Sequence, residues 1–254
     1  MRVDVVTLFP EMFAGFVATS FVKKAIEQGR LVVRFRSPRD FGLGRHKSVD
    51  DTPYGGGGGM VMRVDVLVPT MESLDADAPG GVRAHRVLLT PQGQLLDQRK
   101  VQGLATRDAI MLVCGRYEGF DERVRAHVSE EISLGDFVMT GGEVAAMAVV
   151  DACARLLAGV LGNETSTIEE SHSPHTGGLL EYPHYTRPPE FRGQDVPDVL
   201  VGGNHAEIAR WRRDRSIERT RARRPDLWER LERGRAGVPP FAGGRSKPET
   251  EGEP

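Results

Sequence analysis

Two short apolar runs, each ending in a glycine-rich turn, constrain the fold of this chain more than any other feature. The first passes from Val113 into the turn Gly-Arg-Tyr-Glu-Gly, and the second passes from Ser133 into a longer turn that ends Thr-Gly-Gly-Glu. A short apolar run between turns is typical of a buried strand, and glycine lets the backbone approach a ligand closely. Charged residues stand in both turns. Because the strand ends of an α/β sheet commonly border a binding crevice, we interpret the two turns as a ligand site.

Strand and helix signals alternate over roughly the first 160 residues, a length well within one large domain. Strands are predicted over residues 3–8, 31–35, 86–89 and 109–113, and helices over residues 10–28, 64–74, 98–106 and 142–157. Residues 37–60 form a predicted polar loop, since the five glycines at 55–59 disfavour both helix and strand. Residues 90–93 are predicted to form a turn. Alternation of this kind favours a parallel sheet covered by helices, so the predicted fold class is α/β.

The pattern changes after residue 162. Residues 1–162 form a predicted α/β domain, residues 163–178 a predicted interdomain loop, and residues 179–235 a predicted small helical domain. A polar loop of that length between ordered parts is commonly either functional or disordered. Residues 236–254 are rich in glycine, proline and glutamate, which predicts a disordered tail.

Charge is unevenly divided along the chain. The net charge is −2, yet residues 205–254 contain 13 Lys and Arg against 9 Asp and Glu. Eight of those arginines fall in residues 210–224. Asn204 and Pro225 predict a helix from about residue 205 to 221, which could lay its arginines along a nucleic-acid backbone. The alternative is a solvated helix face on which Glu207, Asp214 and Glu218 pair with the arginines.

Several other classes of protein lack support in the sequence. Apolar runs fall short of the ~20 residues that a membrane helix needs, and Asp4 interrupts the only candidate for a signal peptide, so we expect a cytoplasmic protein without a membrane partner. The two cysteines, Cys114 and Cys153, are predicted to be buried and structural. Three histidines, His172, His175 and His184, lack the spacing and partners of a zinc site. No dinucleotide or phosphate-loop glycine motif is present.

A set of short motifs, in order along almost the entire chain, carries a resemblance to a known family. The motifs are Thr-Leu-Phe-Pro at 7–10, Asp-Asp-Thr-Pro-Tyr-Gly-Gly-Gly at 50–57, Pro-Gln-Gly at 91–93, Cys-Gly-Arg-Tyr-Glu-Gly at 114–119, Leu-Gly-Asp at 134–136, Thr-Gly-Gly-Glu at 140–143, Pro-His-Tyr-Thr-Arg-Pro at 183–188 and Gly-Asn-His-Ala at 203–206. The chain thereby resembles the bacterial tRNA (guanine-N1)-methyltransferases that modify guanosine 37, a branch of the knotted SPOUT methyltransferase family. Only the tail beyond residue 235 lies outside the resemblance.

The resemblance implies a fold, an assembly and a cofactor. The α/β fold would have part of its parallel sheet threaded into a deep trefoil knot, with a small C-terminal helical domain appended, and the protein would be a homodimer with two symmetric sites. S-adenosyl-L-methionine would bind in a bent shape against the knot loops. Backbone and apolar side chains suit an adenine slot, and Glu118 could offer a negative partner to the cofactor. The implied cofactor-binding residues are Leu88, Leu89, Thr90, Pro91, Gly93, Gly115, Tyr117, Glu118, Gly119, Leu134, Gly135, Asp136, Phe137, Val138, Met139, Gly141, Gly142 and Ala145. Tight-turn geometry alone is the other interpretation of these glycines.

The resemblance also implies two catalytic residues. Guanine N1 carries a proton near neutral pH, so a base must remove it while negative charge builds on O6. By position, Glu170 matches the family's aspartate base, and Arg155 matches the arginine that stabilises the charge on O6. The acid is one methylene longer than in the family and the loop after it is three residues longer, so Glu169 stays open as the alternative base. Without the resemblance, the two glutamates would be interpreted as a solvated acidic pair.

Asp50, Ser171 and Arg187, together with the arginine-rich helix, are the residues expected to meet the anticodon stem-loop of a tRNA. The target base is expected to be extruded from its stack. The resemblance suggests Mg²⁺ assistance, although the sequence contains no dedicated oxygen cage for the ion. Two alternatives stay open: a related knotted methyltransferase for another RNA or another atom, and an RNA-binding protein that has lost its cofactor.

Overall fold

The structure, a computed structural model, describes residues 1–161 and 170–235. The chain divides into two compact units, Met1–Glu164 and Thr165–Pro254. Glu169 and the tail at 236–254, both of which carry sequence predictions, lie outside the described residues.

A five-stranded sheet forms the middle of the first unit. Its strands are β1 Arg2–Val6, β2 Val32–Arg36, β5 His85–Leu95, β6 Ala109–Cys114 and β7 Glu130–Ser133, and a separate antiparallel pair joins β3 Asp50–Asp51 to β4 Val61–Met62. The order in the sheet is β2-β1-β6-β5-β7, and every neighbouring pair in it is parallel. The prediction of a parallel α/β sheet is therefore confirmed.

Helices cover both faces of this sheet. They are α1 Ala14–Val17, α2 Ser20–Glu27, α3 Val64–Ala76, α4 Gln98–Ala105 and α5 Glu143–Ala154. Side chains alternate between the faces of a strand, and in β6 Ile110 and Leu112 join a core with α2, α4 and α5, whereas Met111 and Val113 join a core with α3. The continuous burial of β6 follows from these two cores.

Two predicted elements differ from the structure. The helix predicted over 10–28 is broken into a 3-10 turn, Pro10–Phe13, followed by α1 and α2. The break falls at Thr19, whose backbone is extended and whose hydroxyl donates to the Gly15 carbonyl at 2.7 Å. Such local hydrogen bonds compete with helix formation. The turn predicted at residues 90–93 is instead an interruption within one strand, β5.

The second unit is mostly helical in its described part. It contains the antiparallel pair β8 Glu190–Phe191 and β9 Gln194–Asp195, then α6 Asp198–Val201, α7 His205–Arg223 and α8 Pro225–Arg235. The predicted arginine-rich helix is confirmed as α7, and the Asn204 side chain caps it by accepting from the backbone N–H groups of Ala206 and Glu207. Pro225 does end α7, but it also begins α8, as its fixed φ permits.

Candidate active site

Three loops at or close to the carboxyl ends of neighbouring parallel strands form the candidate site. They are residues 90–93 within β5, residues 115–119 after β6, and residues 134–142 between β7 and α5. We call them the three glycine loops. In parallel strands the carboxyl ends meet at one edge of the sheet, and β5 pairs with both β6 and β7. The two turns from which the sequence predicted a ligand site therefore follow strands that flank the same partner.

The first glycine loop is a bulge that only glycine can close. Ile132 in β7 is the register partner of both Leu89 and Gln94, so the residues between them loop out of the sheet. A Cβ atom at Gly93 would lie 2.4 Å from the backbone nitrogen of Ile132. The bulge brings its backbone against the neighbouring strand and leaves Pro91 exposed. Bulges are over-represented next to active sites, and this one interrupts a strand inside the sheet.

The second and third glycine loops touch each other through their backbones. The Gly142 N–H donates to the Gly115 carbonyl at 2.9 Å, and Arg116 and Gly141 form an antiparallel bridge. A Cβ atom at Gly142 would lie 2.8 Å from the Cα atom of Cys114. Gly142 is therefore required for the approach of the two loops, which is the tight-geometry interpretation of this glycine.

Apolar side chains stand exposed on the rim of the glycine loops. Val138 is 85% exposed and Phe137 is 55% exposed, and the Phe137 ring folds back over Gly135. Tyr117 is half-exposed with a positive φ of 59°, a backbone conformation that non-glycine residues rarely adopt outside constrained sites. An apolar rim above naked backbone fits a flat, largely apolar ligand group.

Most of the predicted cofactor-binding residues lie on the three glycine loops, whereas Leu88 and Leu89 lie in β5 and Ala145 lies in α5. Their exposure to solvent differs. Buried members are Leu88, Leu89, Gly115, Gly142 and Ala145; half-buried members are Thr90, Gly93, Gly119, Leu134, Gly135, Met139 and Gly141; exposed members are Pro91, Tyr117, Glu118, Asp136, Phe137 and Val138. The buried members form the base of the candidate site, and the side chains of the exposed members are accessible to a ligand.

A second connection ties the glycine-rich segment 55–59 to the loop 115–119. The Glu118 N–H donates to the Met60 carbonyl, and the Met62 N–H donates to the Gly119 carbonyl, each at 2.9 Å. The Glu118 carboxylate lies against Gly59, where an added Cβ would come within 2.4 Å of it. Glu118 is exposed, so its negative charge stands between the glycine-rich segment and the loop.

The sequence analysis missed a buried polar cluster behind the glycine loops. The Thr7 hydroxyl donates to Glu143 Oε1 at 2.8 Å, and Glu143 Oε2 lies 2.9 Å from a terminal nitrogen of Arg116, an ion pair without hydrogen-bond geometry. The Arg116 guanidinium stacks 4.5 Å from the ring centre of Phe9. All four residues belong to motifs that carry the family resemblance. That shared membership was the available signal, since Thr7 and Glu143 are 136 residues apart.

Both cysteines are free and buried, as predicted. Burial raises the pKa of the Cys114 thiol well above its usual range, and the charge of Glu143 adds to the shift. Burial likewise raises the pKa of Cys153 to about 12. Neither thiol forms the nucleophilic thiolate at neutral pH, so a structural role follows for both.

The predicted catalytic arginine lies away from the glycine loops within its own unit. Arg155 immediately follows the last residue of α5, whereas Gly142 precedes the first. A twelve-residue helix is about 18 Å long at ~1.5 Å per residue. Arg155 and the third glycine loop therefore occupy opposite ends of one helix.

The other predicted site residues divide between the two units. In the first unit Asp50 is half-buried in β3, and its neighbour Asp51 pairs with Arg63 at 2.7 Å. In the second unit Glu170 is half-buried, and the Ser171 hydroxyl accepts the Glu181 N–H at 3.0 Å. These placements do not test the roles predicted for the residues.

Arginines and aromatic rings occur together in the second unit. Arg212 stacks on Tyr182 at 4.7 Å, Arg221 stacks on Trp228 at 4.2 Å, and Arg215 pairs with Glu218 at 2.7 Å. Paired and stacked arginines therefore coexist on α7. Exposed arginines of α7 are Arg210, Arg213, Arg221 and Arg223.

A cavity of about 680 Å³ opens in the same unit. Arg187 is its charged lining residue, and the remaining wall is largely apolar: Tyr185, Thr186, Pro188, Pro189, Val196, Leu200 and Val201. A guanidinium beside an aromatic ring and an apolar wall suits a stacked base with its phosphate.

The described part of the chain offers neither a metal-ligand cluster nor a membrane span. Across residues 1–161 and 170–235, no three His, Cys, Asp or Glu side chains gather where they could hold a metal ion. Within those same ranges no helix combines the length and the apolar character that a membrane span requires. The Mg²⁺ expectation thus has no ligand cluster in the described residues, and no reaction step is assigned to the ion.

The chain is an α/β protein with a candidate ligand site on glycine loops at the carboxyl ends of a parallel sheet, followed along the chain by an arginine-rich helical unit. Residues 1–230 match the family model described as tRNA (Guanine-1)-methyltransferase TrmD. The chain belongs to this family.

Relatives named tRNA (guanine-N(1)-)-methyltransferase match nearly all of the chain. A tRNA (guanine-N(1)-)-methyltransferase of Sorangium cellulosum is 64% identical over 94% of this chain and 97% of its own. Proteins of that name from Brevibacillus brevis and Geobacter metallireducens are each 50% identical over 91% of this chain, and over 93% and 92% of their own chains.

Proposed function

We propose that the protein transfers a methyl group from S-adenosylmethionine to N1 of guanosine 37 in tRNA. The observation that carries the proposal is the 64% identity, over 94% of the chain, to a Sorangium protein named tRNA (guanine-N(1)-)-methyltransferase. The glycine loops support it independently, because they offer a cradle for a ligand with a flat apolar group.

The residues of the glycine loops fit S-adenosylmethionine. Gly93 and Gly115 leave backbone where a side chain would collide with Ile132 or Phe120, and the apolar rim of Phe137 and Val138 provides faces for an adenine ring. The exposed carboxylate of Glu118 suits a ligand that carries positive charge. When bound, the cofactor supplies a methyl group on a positively charged sulfur.

Two residues of the chain would remove the proton from the acceptor base and stabilise the charge that develops on it. Guanine N1 is a poor nucleophile until its proton is removed, so Glu170 is assigned as the base that takes this proton. Negative charge then develops on O6, and Arg155 is assigned as the hydrogen-bond donor that stabilises it. A positioned base contributes roughly 10² to 10⁴ in rate. Glu169 is the alternative base.

The position of Arg155 supports a homodimer in which two chains complete each site. Within one chain, α5 separates Arg155 from the third glycine loop by about 18 Å, well beyond the reach of one arginine side chain. In a two-fold symmetric dimer, each chain would place the end of its α5, with Arg155, next to the glycine loops of the other chain, so two equivalent sites would form. We place the enzyme in the cytoplasm and assign the trefoil knot of its family to the β5–β7 region.

The second unit would bind the anticodon stem-loop. Exposed arginines on α7 suit the phosphate backbone, and the cavity beside Arg187 suits an unstacked nucleotide. Ser171 and Asp50 are assigned to contacts with the RNA near the target base. Because a stacked base cannot enter a protein pocket, guanosine 37 would be extruded before methylation.

The decisive test is the identity of the methylated nucleoside. An anticodon stem-loop with guanosine at position 37 is incubated with the purified protein and methyl-labelled S-adenosylmethionine, then digested to nucleosides. The expected product is 1-methylguanosine, absent when position 37 is adenosine. A label on another nucleoside points to the related knotted methyltransferases, and failure to bind the cofactor points to a noncatalytic RNA-binding protein.

A further inference from the structure

Glu143 is a buried acid that no step of the proposed reaction uses. It is 1% exposed and begins α5 immediately after the third glycine loop. A carboxylate at a helix N-terminus is favoured by the helix dipole. A charge this deeply buried nevertheless persists only when it is paired or hydrogen-bonded, and Glu143 has both Arg116 and Thr7 beside it.

Arg116, the partner of Glu143, contacts both of the glycine loops that follow β6 and β7. It belongs to the loop 115–119, and its guanidinium donates to the Thr140 carbonyl at 3.3 Å. Its side chain also fills the space in front of Gly141, where a Cβ atom would lie 2.3 Å from Arg116 Nε. The arginine side chain is only 19% exposed, so it is packed between the two loops.

Thr7 and Phe9 anchor this arrangement to the end of β1. The Thr7 hydroxyl donates to Glu143 and accepts the Phe9 N–H at 3.0 Å. Phe9 in turn supports the Arg116 guanidinium through its ring face. The two loops are thereby fixed to the rigid sheet by side chains as well as by their own backbones.

We propose that Thr7, Arg116 and Glu143 form a loop clamp that sets the spacing of the second and third glycine loops and thereby the affinity for S-adenosylmethionine. This inference rests on the proposed function. The three are positioning residues: Glu143 and Thr7 are buried, and Arg116 is directed at the loops themselves. The clamp acts on the cofactor through the position of Gly115, Gly141 and Gly142.

Cofactor affinity of Glu143→Gln tests the clamp. The amide keeps the size of the side chain and removes the charge that pairs with Arg116. We expect the dissociation constant for S-adenosylmethionine, measured by calorimetry on the full-length protein, to rise about tenfold, the scale of coupling between contacting residues. The KM for the cofactor should rise in parallel, while kcat at saturating cofactor should stay within about twofold of wild type.

A double-mutant cycle on cofactor affinity distinguishes coupling between Arg116 and Glu143 from a general loss of structure. Arg116→Met and the double variant Arg116→Met/Glu143→Gln complete a mutant cycle. If the pair acts as one unit, the double variant binds the cofactor no more weakly than the weaker single variant. Thr7→Val removes the two hydrogen bonds of the hydroxyl, to Glu143 and from the Phe9 N–H, but keeps the Arg116–Glu143 ion pair, and we expect about a threefold loss of affinity. This variant keeps the test available if Glu143→Gln does not fold.

Asp4→Asn is the matched control for stability. Asp4 is also a fully buried acid of the first unit, held by Arg2 at 3.1 Å and by Arg34 at 2.6 Å, but it contacts none of the glycine loops. We expect Asp4→Asn to lower Tm without changing cofactor affinity. Unchanged affinity in both Glu143→Gln and Thr7→Val overturns the clamp while the wild type still binds. A wild-type protein that does not bind S-adenosylmethionine overturns the proposed function and the clamp together.

Discussion

At the scale of single residues, the glycines of the site fall into two groups. A Cβ atom at Gly142 would meet the backbone of Cys114 and Gly115, which cannot move without separating the loops. A Cβ atom at Gly135 would meet the ring of Phe137, which is exposed and can turn away. Gly142 is therefore required for the close approach of the two loops. At Gly135 the neighbouring atoms belong to an exposed side chain, so a ligand could occupy that space if the Phe137 ring turns away.

Gly142→Ala should destabilise the first unit. Forcing a methyl group against backbone atoms at 2.8 and 3.0 Å costs about 1–3 kcal/mol, the usual range for overpacking. Chemical denaturation of the two proteins measures the difference in free energy of unfolding.

Gly103→Ala supplies the control, because Gly103 lies within α4 and nothing stands within 4 Å of its added Cβ. It should raise the free energy of unfolding by about 0.5–1 kcal/mol. Equal stability of Gly142→Ala and wild type would contradict the close approach of the loops.

Glu170→Gln should abolish methyl transfer while leaving cofactor affinity nearly intact. The amide cannot accept the N1 proton, and a missing general base typically costs about 10² to 10⁴ in rate. Single-turnover methylation and cofactor calorimetry measure the two effects separately. Glu169→Gln is the neighbouring control, and normal turnover in Glu170→Gln with loss in Glu169→Gln would move the base to Glu169.

At the scale of elements, local pattern predicted most of the framework. Apolar runs identified β1, β2 and β6, and capping by Asn204 located the start of α7. The pattern failed where a side chain or a distant strand decides the geometry. The Thr19 hydroxyl bonds to the backbone where the first predicted helix breaks. Strand β5 continues past its bulge because β7 pairs with it both before and after the bulge.

As with the helices and strands, only the parts of the candidate site that depend on local sequence could be predicted. The glycine loops follow strands, so their positions could be inferred from order along the chain. The polar cluster of Thr7, Arg116 and Glu143 was missed, because it joins three segments through tertiary contacts and the sequence offered only their shared membership of the family motifs. The separation of Arg155 from the loops depends on the length and direction of α5, which only the folded chain reveals.

The α7 helix should contribute tRNA affinity through charge. Arg210 and Arg213 are exposed on it, and replacing both with Gln should weaken binding of the anticodon stem-loop by about tenfold at moderate salt. The slope of log K against log salt should fall by about two, because each removed arginine leaves one phosphate without its cation. Titrations at several salt concentrations measure both quantities.

Arg99→Gln/Arg107→Gln is the matched control, because it removes two exposed arginines from the first unit and changes net charge equally. It should leave affinity and salt slope close to wild type. If the two double variants weaken binding equally, the effect is one of net charge, and α7 has no specific role.

At the scale of the whole molecule, the separation of Arg155 from the glycine loops leads us to expect that a single chain lacks a complete catalytic site. A mixed dimer tests this. Arg155→Ala removes the proposed donor, and Gly115→Leu places a large side chain in the second glycine loop, against the Phe120 ring. Each variant alone should be inactive. Co-expressed, half of the dimers would be mixed, and each mixed dimer would keep one complete site, so activity should recover to about a quarter of wild type.

The recovery depends on which chain supplies the arginine. If Arg155 serves the loops of the partner, the mixed dimer pairs intact loops from the Arg155→Ala chain with the intact arginine of the Gly115→Leu chain. If Arg155 served its own loops, every site in the mixed dimer would carry one defect, and no activity would return. Native mass spectrometry of the co-expressed sample establishes that mixed dimers are present, so a lack of recovery there would rule out a site shared between chains.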